Sequence, residues 1–387
     1  MTATTTRTRG KQPARPRYAN SGFVLLFAVL VVLNLIGLVM VLSASSVTAL
    51  HSEGSSYYYF ERQLLWLAVG SVAFVLALRT DYHRLRLLAW PLLLGCGGLL
   101  VVVLLPGIGS NVNGSSRWIG VGTFGIQPSE FAKLAILIFG AELLARRAAW
   151  IEDTRVTLRP VMAAFCALAV LIMLQPNLGT TIVLAAITFS ILFVSGVPMR
   201  PLVGWGTAGT FAACVAAMGQ SYRRARVLAF LHPWNDPLNT GYQTIQSQVS
   251  LASGGWFGVG LGASRAKWGF LPYAHTDFIF AIIGEELGLF GALLVVLLFV
   301  ALAFLGVRAG VRAPDPFGRL LAIGITTWLT VQAFVNIGAV IGVLPITGVP
   351  LPFISFGGSS VLATMAASGI LLNVARSGGN LPTPRRG

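Results

Sequence analysis

The sequence predicts an all-α polytopic membrane protein, and three observations carry that reading. Only 10% of its 387 residues are charged while 55% are hydrophobic, against roughly 25% charged residues in soluble domains. Apolar runs long enough to cross a bilayer core of about 30 Å recur along the whole chain. These runs are continuous rather than alternating with period two, so helices, not a barrel, satisfy the backbone in lipid. The composition excludes an ordinary soluble enzyme, a disordered tail protein and a disulfide scaffold.

Ten transmembrane helices are expected, at 22–46, 63–78, 87–106, 129–145, 160–174, 178–195, 202–219, 278–306, 320–343 and 356–375. A basic tail, 1–21, precedes them, and the small-residue pattern Ser43-Ala44-Ser45 after the first run resembles a cleavable signal. That run exceeds the roughly 7–15 apolar residues of a signal core, so it is read as an uncleaved span. Spans five and six are short, and the hairpin Gln175-Pro176-Asn177 between them is expected to dip into the membrane. A large loop, 220–276, separates spans seven and eight; connections of such length usually serve a function. Its Tyr222, Trp234, Trp256, Trp268 and Tyr273 suit the membrane interface. The organisation is therefore one membrane domain, 22–376, followed by a short tail, 377–387.

Charge fixes the expected orientation. Most of the 27 Lys and Arg residues fall in the N-tail, in alternate connections (Arg79, Arg84 and Arg86; Arg146, Arg147, Arg155 and Arg159; Arg200; Arg308, Arg312 and Arg319) and in the C-tail. The positive-inside rule makes that side, with both termini, cytoplasmic. The formal charge of +15 is thus mainly a topology signal, and no nucleic-acid partner is expected. The exceptions, Arg62, Arg117, Lys133, Arg223, Arg224, Arg226, Arg265 and Lys267, lie in or beside the outer half. Cys96, Cys166 and Cys214 sit in separate apolar runs without metal-ligand spacing and read as structural.

Acidic residues in or bordering spans are Glu130, Glu142, Asp277, Glu285 and Glu286. Ionisable groups at membrane depth cost several kcal/mol (about 2.5 or more) unless paired or hydrated, which makes each a functional candidate. Arg117 lies just before span four, Glu130 and Lys133 are three apart in its first turns, and Asp277 opens span eight. All four therefore face the outer leaflet. A plain i,i+3 ion pair and a helix cap are the bland alternatives for Glu130–Lys133 and Asp277. As a set, however, Arg and Lys suit a phosphate or pyrophosphate, and a nearby carboxylate can act as general base toward a hydroxyl. Together they describe transfer from a lipid-linked phosphate donor to a hydroxyl acceptor.

Other features are weaker. The glycine run from Gly254 to Gly262 lacks a P-loop ending and reads as a turn and close-packing segment. His275 is a second acid/base, an orienter of its neighbours or a packed loop histidine. Glu285 and Glu286, about 12–14 Å along a helix from Asp277, are either structural or lining a polar channel. Neither Ser-His-Asp, HExxH nor a cofactor fingerprint is present.

Six ordered stretches carry a family resemblance: Arg117-Trp118-Ile119, QPSEFAKLAI (127–136), QPNLGTTIV (175–183), GYQTIQSQVSLASGGWFGVGLG (241–262), LPYAHTDFIFAIIGEELG (271–288) and LPITGVPLPFISFGGSS (344–360). They resemble the SEDS family of FtsW, RodA and SpoVE proteins over about residues 20–376, with division-type members nearest. The resemblance implies a ten-helix peptidoglycan glycosyltransferase that polymerises lipid II, the undecaprenyl-pyrophosphate-linked disaccharide peptide, outside the bacterial cytoplasmic membrane. It also implies a class B penicillin-binding protein (a transpeptidase) and divisome proteins as partners, with work at the division septum.

By the same resemblance Asp277 is the catalytic carboxylate, Glu130 and Lys133 line a central cavity, and Arg117 and Trp118 form a functionally sensitive pair; His275 is grouped with them as substrate-binding. Three positions depart from relatives: Asn177 stands where many carry Asp, Gly269 where some carry an acid, and Thr347 where some carry Lys. The cofactor stays open, a divalent cation (Mg or Mn) being the candidate. The alternatives are a lipid II flippase, an elongation-type polymerase and a non-catalytic scaffold. A transporter would place ionisable groups at the midplane in repeated halves, whereas here they gather at the outer end.

Overall fold

The computed structural model describes residues 21–106, 109–112, 115–121, 124–218 and 230–378. The expectations on the two tails beyond them, and on Tyr222, Arg223, Arg224 and Arg226, lie outside the described residues. Within them the chain is nearly all helical: α1 (Ser21–Glu53), α2 (Tyr58–Arg79), α3 (Leu85–Leu104), α4 (Pro128–Arg146), α5 (Leu158–Leu174), α6 (Leu178–Ser195), α7 (Met199–Met218), α8 (Tyr242–Ser253), α9 (Ile279–Val311), α10 (Pro316–Val340) and α11 (Gly358–Gly378). Seven of these are long and apolar enough to cross a membrane: α1, α2, α3, α6, α9, α10 and α11. The expected runs fall on α1–α7 and α9–α11, while α8 lies within the large loop.

Helix ends follow local chemistry. Asp315 caps α10 by accepting from the Gly318 amide at 3.1 Å, with Pro316 at its first position. Asn177 caps α6 by accepting from the Thr180 amide at 3.2 Å, so its side chain starts a helix. Between α3 and α4 the chain forms a small antiparallel ribbon that the helical reading of the sequence did not include: β1 (Ser110–Val112), β2 (Ser115–Val121) and β3 (Phe124–Ile126). Val112 pairs with Ser115 and Val121 with Phe124, so two residues separate each pair of strands, Asn-Gly in the first case.

The helices sort by burial. On α1 a stripe of Leu26, Leu30, Leu33, Gly37, Met40, Val41 and Ala44 is buried while Val24, Leu25, Leu35 and Val39 are exposed. That is a helix with one packed face and one apolar outer face, as lipid contact requires. By contrast α4, α10 and α11 are buried around most of their circumference and form the middle of the bundle. Small residues let them approach: a Cβ on Gly324 of α10 would meet Leu137 of α4 at 2.2 Å, and one on Gly369 of α11 would meet the Phe74 carbonyl of α2 at 2.4 Å.

One helix is broken. At Gly288 the backbone of α9 turns to φ +68°, ψ −166°, and a turn segment of the large loop fills the gap. Amides of Val259 and Gly260 donate to the carbonyls of Glu285 and Glu286, and amides of Leu289 and Phe290 donate to those of Gly255 and Trp256. A Cβ at Gly288 would lie 2.3 Å from the Gly258 nitrogen, so only glycine suits both the torsion and the approach. The glycine run thus serves close packing, as its composition suggested.

Candidate active site

Connections meet at each end of the bundle. At the end opposite the basic connections, the ribbon, the 175–177 hairpin, the segment before α9 and the 344–357 loop interlock. The 344–357 loop is the hub: Val349, Leu351, Phe353, Ile354 and Ser355 are buried, although none is helical. Non-helical backbone is tolerated in a membrane protein where protein groups satisfy it, and that is the case here. The Leu351 amide donates to Ser355 Oγ at 2.8 Å. A Cβ on Gly37, partway along α1, would run into the Phe353 carbonyl, and one on Gly179 of α6 into Val349 and Thr347.

Asp277 is fixed by this hub through its backbone. Three successive carbonyls are engaged: that of His275 accepts from the Phe356 amide at 3.0 Å, that of Thr276 from Ser355 Oγ at 2.6 Å, and that of Asp277 from Asn336 Nδ2 at 2.8 Å. The Asp277 side chain is half-buried, and a Cβ on Gly348 would come within 3.7 Å of its Oδ2. Gly348 itself is exposed at φ +68°, so the carboxylate sits beside an exposed glycine. The cap reading is not met: the N-cap of α9 is Phe278, with no side-chain cap.

Glu130 and Lys133 form the pair that their spacing predicted, at 2.8 Å, and both are buried. Lys133 Nζ also donates to Gln332 Oε1 at 2.8 Å and lies 4.9 Å from the centre of the Trp328 ring. Its side chain is wholly enclosed, so in this conformation it is open to no direct contact from outside the protein. Glu130 Oε2 is buried without a hydrogen-bond partner.

Arg117 and Trp118 sit on β2. Arg117 donates from Nε to the Gln175 carbonyl at 2.8 Å and from Nη2 to the Pro176 carbonyl at 2.6 Å, while Trp118 covers Gly125 of β3. The ribbon is thereby tied to the hairpin just ahead of Gly179, which reaches the hub through Thr347 and Val349. Arg117 is consequently a structural tie as well as a candidate anion ligand. His275 packs against Tyr59 with ring centres 4.6 Å apart and planes tilted by 34°, and lies 5.8 Å from Phe356. Burial among these rings pushes its pKa down to about 4, so the imidazole is neutral at pH 7.

Glu285 and Glu286 resolve to a structural role. Glu285 accepts from Ser250 Oγ, Ser264 Oγ and the Arg265 amide, at 2.7, 2.6 and 2.8 Å. Glu286 accepts from Ser43 Oγ of α1 at 2.6 Å and pairs with Lys267 at 3.6 Å. Both carboxylates hold the large loop against the broken helix. Among the described residues no group of three or more His, Cys, Asp and Glu side chains is gathered as for a protein-bound metal ion. The residues that sequence reasoning missed are Gln332, Asn336 and Ser355, uncharged groups whose partners are distant in the chain.

The family model for FtsW, RodA and SpoVE, described as cell cycle protein, matches residues 23–379. The chain belongs to this family. Among curated members, FtsW of Geobacter metallireducens, named a probable peptidoglycan glycosyltransferase, is 43% identical over 91% of this chain and 93% of its own. FtsW of Mycobacterium tuberculosis, named likewise, is 45% identical over 92% of this chain and 68% of its own. Stage V sporulation protein E of Bacillus subtilis is 42% identical over 91% and 96%. Among solved structures, a peptidoglycan synthase complex that coordinates polymerization and crosslinking contains a chain of TM-score 0.74 and 29% identity, covering 92% of this chain and 97% of that one. RodA of Thermus thermophilus gives TM-score 0.67 and 28% identity over 91% and 95%. This FtsW/RodA/SpoVE member is a multi-pass membrane protein.

Proposed function

We propose that this chain is a division-type peptidoglycan glycosyltransferase that polymerises lipid II into glycan strands at the outer face of the cytoplasmic membrane. The observation that carries the reading is Asp277: a partly exposed carboxylate, not used as a helix cap, on a backbone fixed at three successive carbonyls. A general base has to be held within reach of the proton it removes. Asp277 takes the proton from the acceptor's sugar hydroxyl as that oxygen attacks the anomeric carbon of the donor. The bond from that carbon to the pyrophosphate oxygen breaks, and undecaprenyl pyrophosphate leaves. Attack opposite the leaving group converts the donor's α linkage to a β linkage. Arg117 binds the pyrophosphate at the hairpin, Trp118 shapes that surface, and the Glu130–Lys133 pair sets the field beneath it. His275, neutral and packed between the Tyr59 and Phe356 rings, orients the segment that presents Asp277.

The membrane domain is assigned to 22–376, with the loop end outward. A class B penicillin-binding protein is the proposed crosslinking partner, with divisome proteins and the septum as its setting. Whether Mg or Mn assists belongs to the same test. The experiment is polymerisation of labelled lipid II by the purified full chain, with and without that partner and with EDTA in a parallel arm. Glycan strands are expected; movement of lipid II between leaflets without polymer would overturn the assignment. Orientation is checked by labelling single cysteines from outside intact cells: Asn239→Cys reacts and Thr154→Cys does not.

A further inference from the structure

Two amides one turn apart on α10 join the halves of the site. Gln332 accepts from Lys133 Nζ at 2.8 Å and donates from Nε2 to the Pro350 carbonyl at 2.9 Å. Asn336 donates from Nδ2 to the Val349 carbonyl and to the Asp277 carbonyl, both at 2.8 Å. The two side chains are buried, and they grip adjacent carbonyls of the same loop. Resting on the functional reading above, we propose that Asn336 is the positioning residue for Asp277, clamping its peptide to the 344–357 loop so that the carboxylate faces the acceptor hydroxyl. Gln332 sets the register of that clamp against the Glu130–Lys133 pair.

The geometry distinguishes this from generic stabilisation. Ser355 and the Phe356 amide hold the two residues before Asp277, and the Asn336 bond engages the Asp277 carbonyl itself. The same amide also secures Val349, next to the Gly348 backbone that flanks the carboxylate. Loss of the amide frees both walls at once. Misplacement of a reacting group by 1 Å can cost about 10²-fold in rate.

The molecule supplies a matched control. Asn373 of α11 is also buried and also donates from Nδ2 to two carbonyls, those of Ala77 and Thr80, at the far end of the bundle. Asn336→Ala and Asn373→Ala are made in the full chain, purified with the crosslinking partner, and compared with Asp277→Asn for lipid II turnover and thermal midpoint. Asn336→Ala is expected to lower kcat by about 10- to 100-fold with KM for lipid II within about twofold. Asn373→Ala should lower the midpoint by a similar amount with kcat unchanged. Asn336→Ser, which keeps one donor, stands in where the alanine variant does not fold and should fall between. Equal kcat in wild type and in either folded Asn336 variant, or matching losses at both asparagines, overturns the positioning role. An active Asp277→Asn instead overturns the functional reading, a separate outcome.

Discussion

At the basic end, Arg146 meets Glu142 at 2.6 Å with its side chain 74% exposed, and Arg86 reaches Glu142 and Asp315 with 39% exposure. At the loop end, Lys133 and Glu130 meet at 2.8 Å with exposures of 0% and 3%. The two shortest distances are alike, but only at the loop end are both partners enclosed. At the basic end water solvates the arginines while the Glu142 side chain is only 10% exposed, whereas at the loop end each ion depends on its partner for nearly all of its solvation. The basic end therefore fastens helix ends with contacts whose cationic side stays in water. The loop end holds charge where its field is little screened, linked through Gln332 and Asn336 to the residue proposed to do chemistry.

The largest effect expected from breaking this contrast is at Asp277. Asp277→Asn should leave a folded, membrane-inserted, partner-binding protein whose polymerisation rate is lower by about 10²–10⁴. Wild-type polymer from the purified variant would remove the base from the mechanism. Next comes the enclosed pair. Glu130→Ala leaves Lys133 without its counter-ion, and a loss of about 3–5 kcal/mol is expected in chemical unfolding. The double variant Glu130→Leu/Lys133→Met should recover much of that stability while polymerisation stays low, which separates folding from function.

A smaller, pH-dependent effect belongs to His275. The unfolded chain protonates this group at about 6.5, the folded one at about 4 because of burial. The unfolded state therefore binds more protons between these values, and stability falls as pH drops from about 6.5 toward 4. His275→Phe should flatten that part of a thermal-midpoint profile; an unchanged profile would show that His275 is not its source. The smallest effect is expected at the basic end, where Arg146→Ala should cost less than about 1 kcal/mol and leave polymerisation intact.

The contrast also explains what was legible in the sequence. Helices announce themselves by apolar length, and Glu130, Lys133 and Asp277 stand out because ionisable residues are rare beside such runs. Glu285 and Glu286 stood out for the same reason, yet their partners (Ser43, Ser250, Ser264 and Lys267) lie elsewhere in the chain, so their structural role could not be read. Gln332 and Asn336 are uncharged residues in an apolar helix and bind backbone carbonyls that have no side-chain signature. The ribbon was hidden by its short strands, although Asn113-Gly114 marks a hairpin. Hydropathy continues across Gly288, so nothing in the apolar pattern signalled the break in α9.

That break has a consequence for how the chain is made. Residues 255–260 supply hydrogen bonds that α9 lacks across its discontinuity, and they precede α9 in the sequence. During synthesis they emerge first, so the patch exists before the helix that needs it. Were the order reversed, α9 would enter lipid either unbroken or with bare amides and carbonyls, each costing several kcal/mol (about 2–7) until a later segment arrived. Swapping the order of these two segments by circular permutation should therefore slow assembly in the membrane even where every final contact can still form.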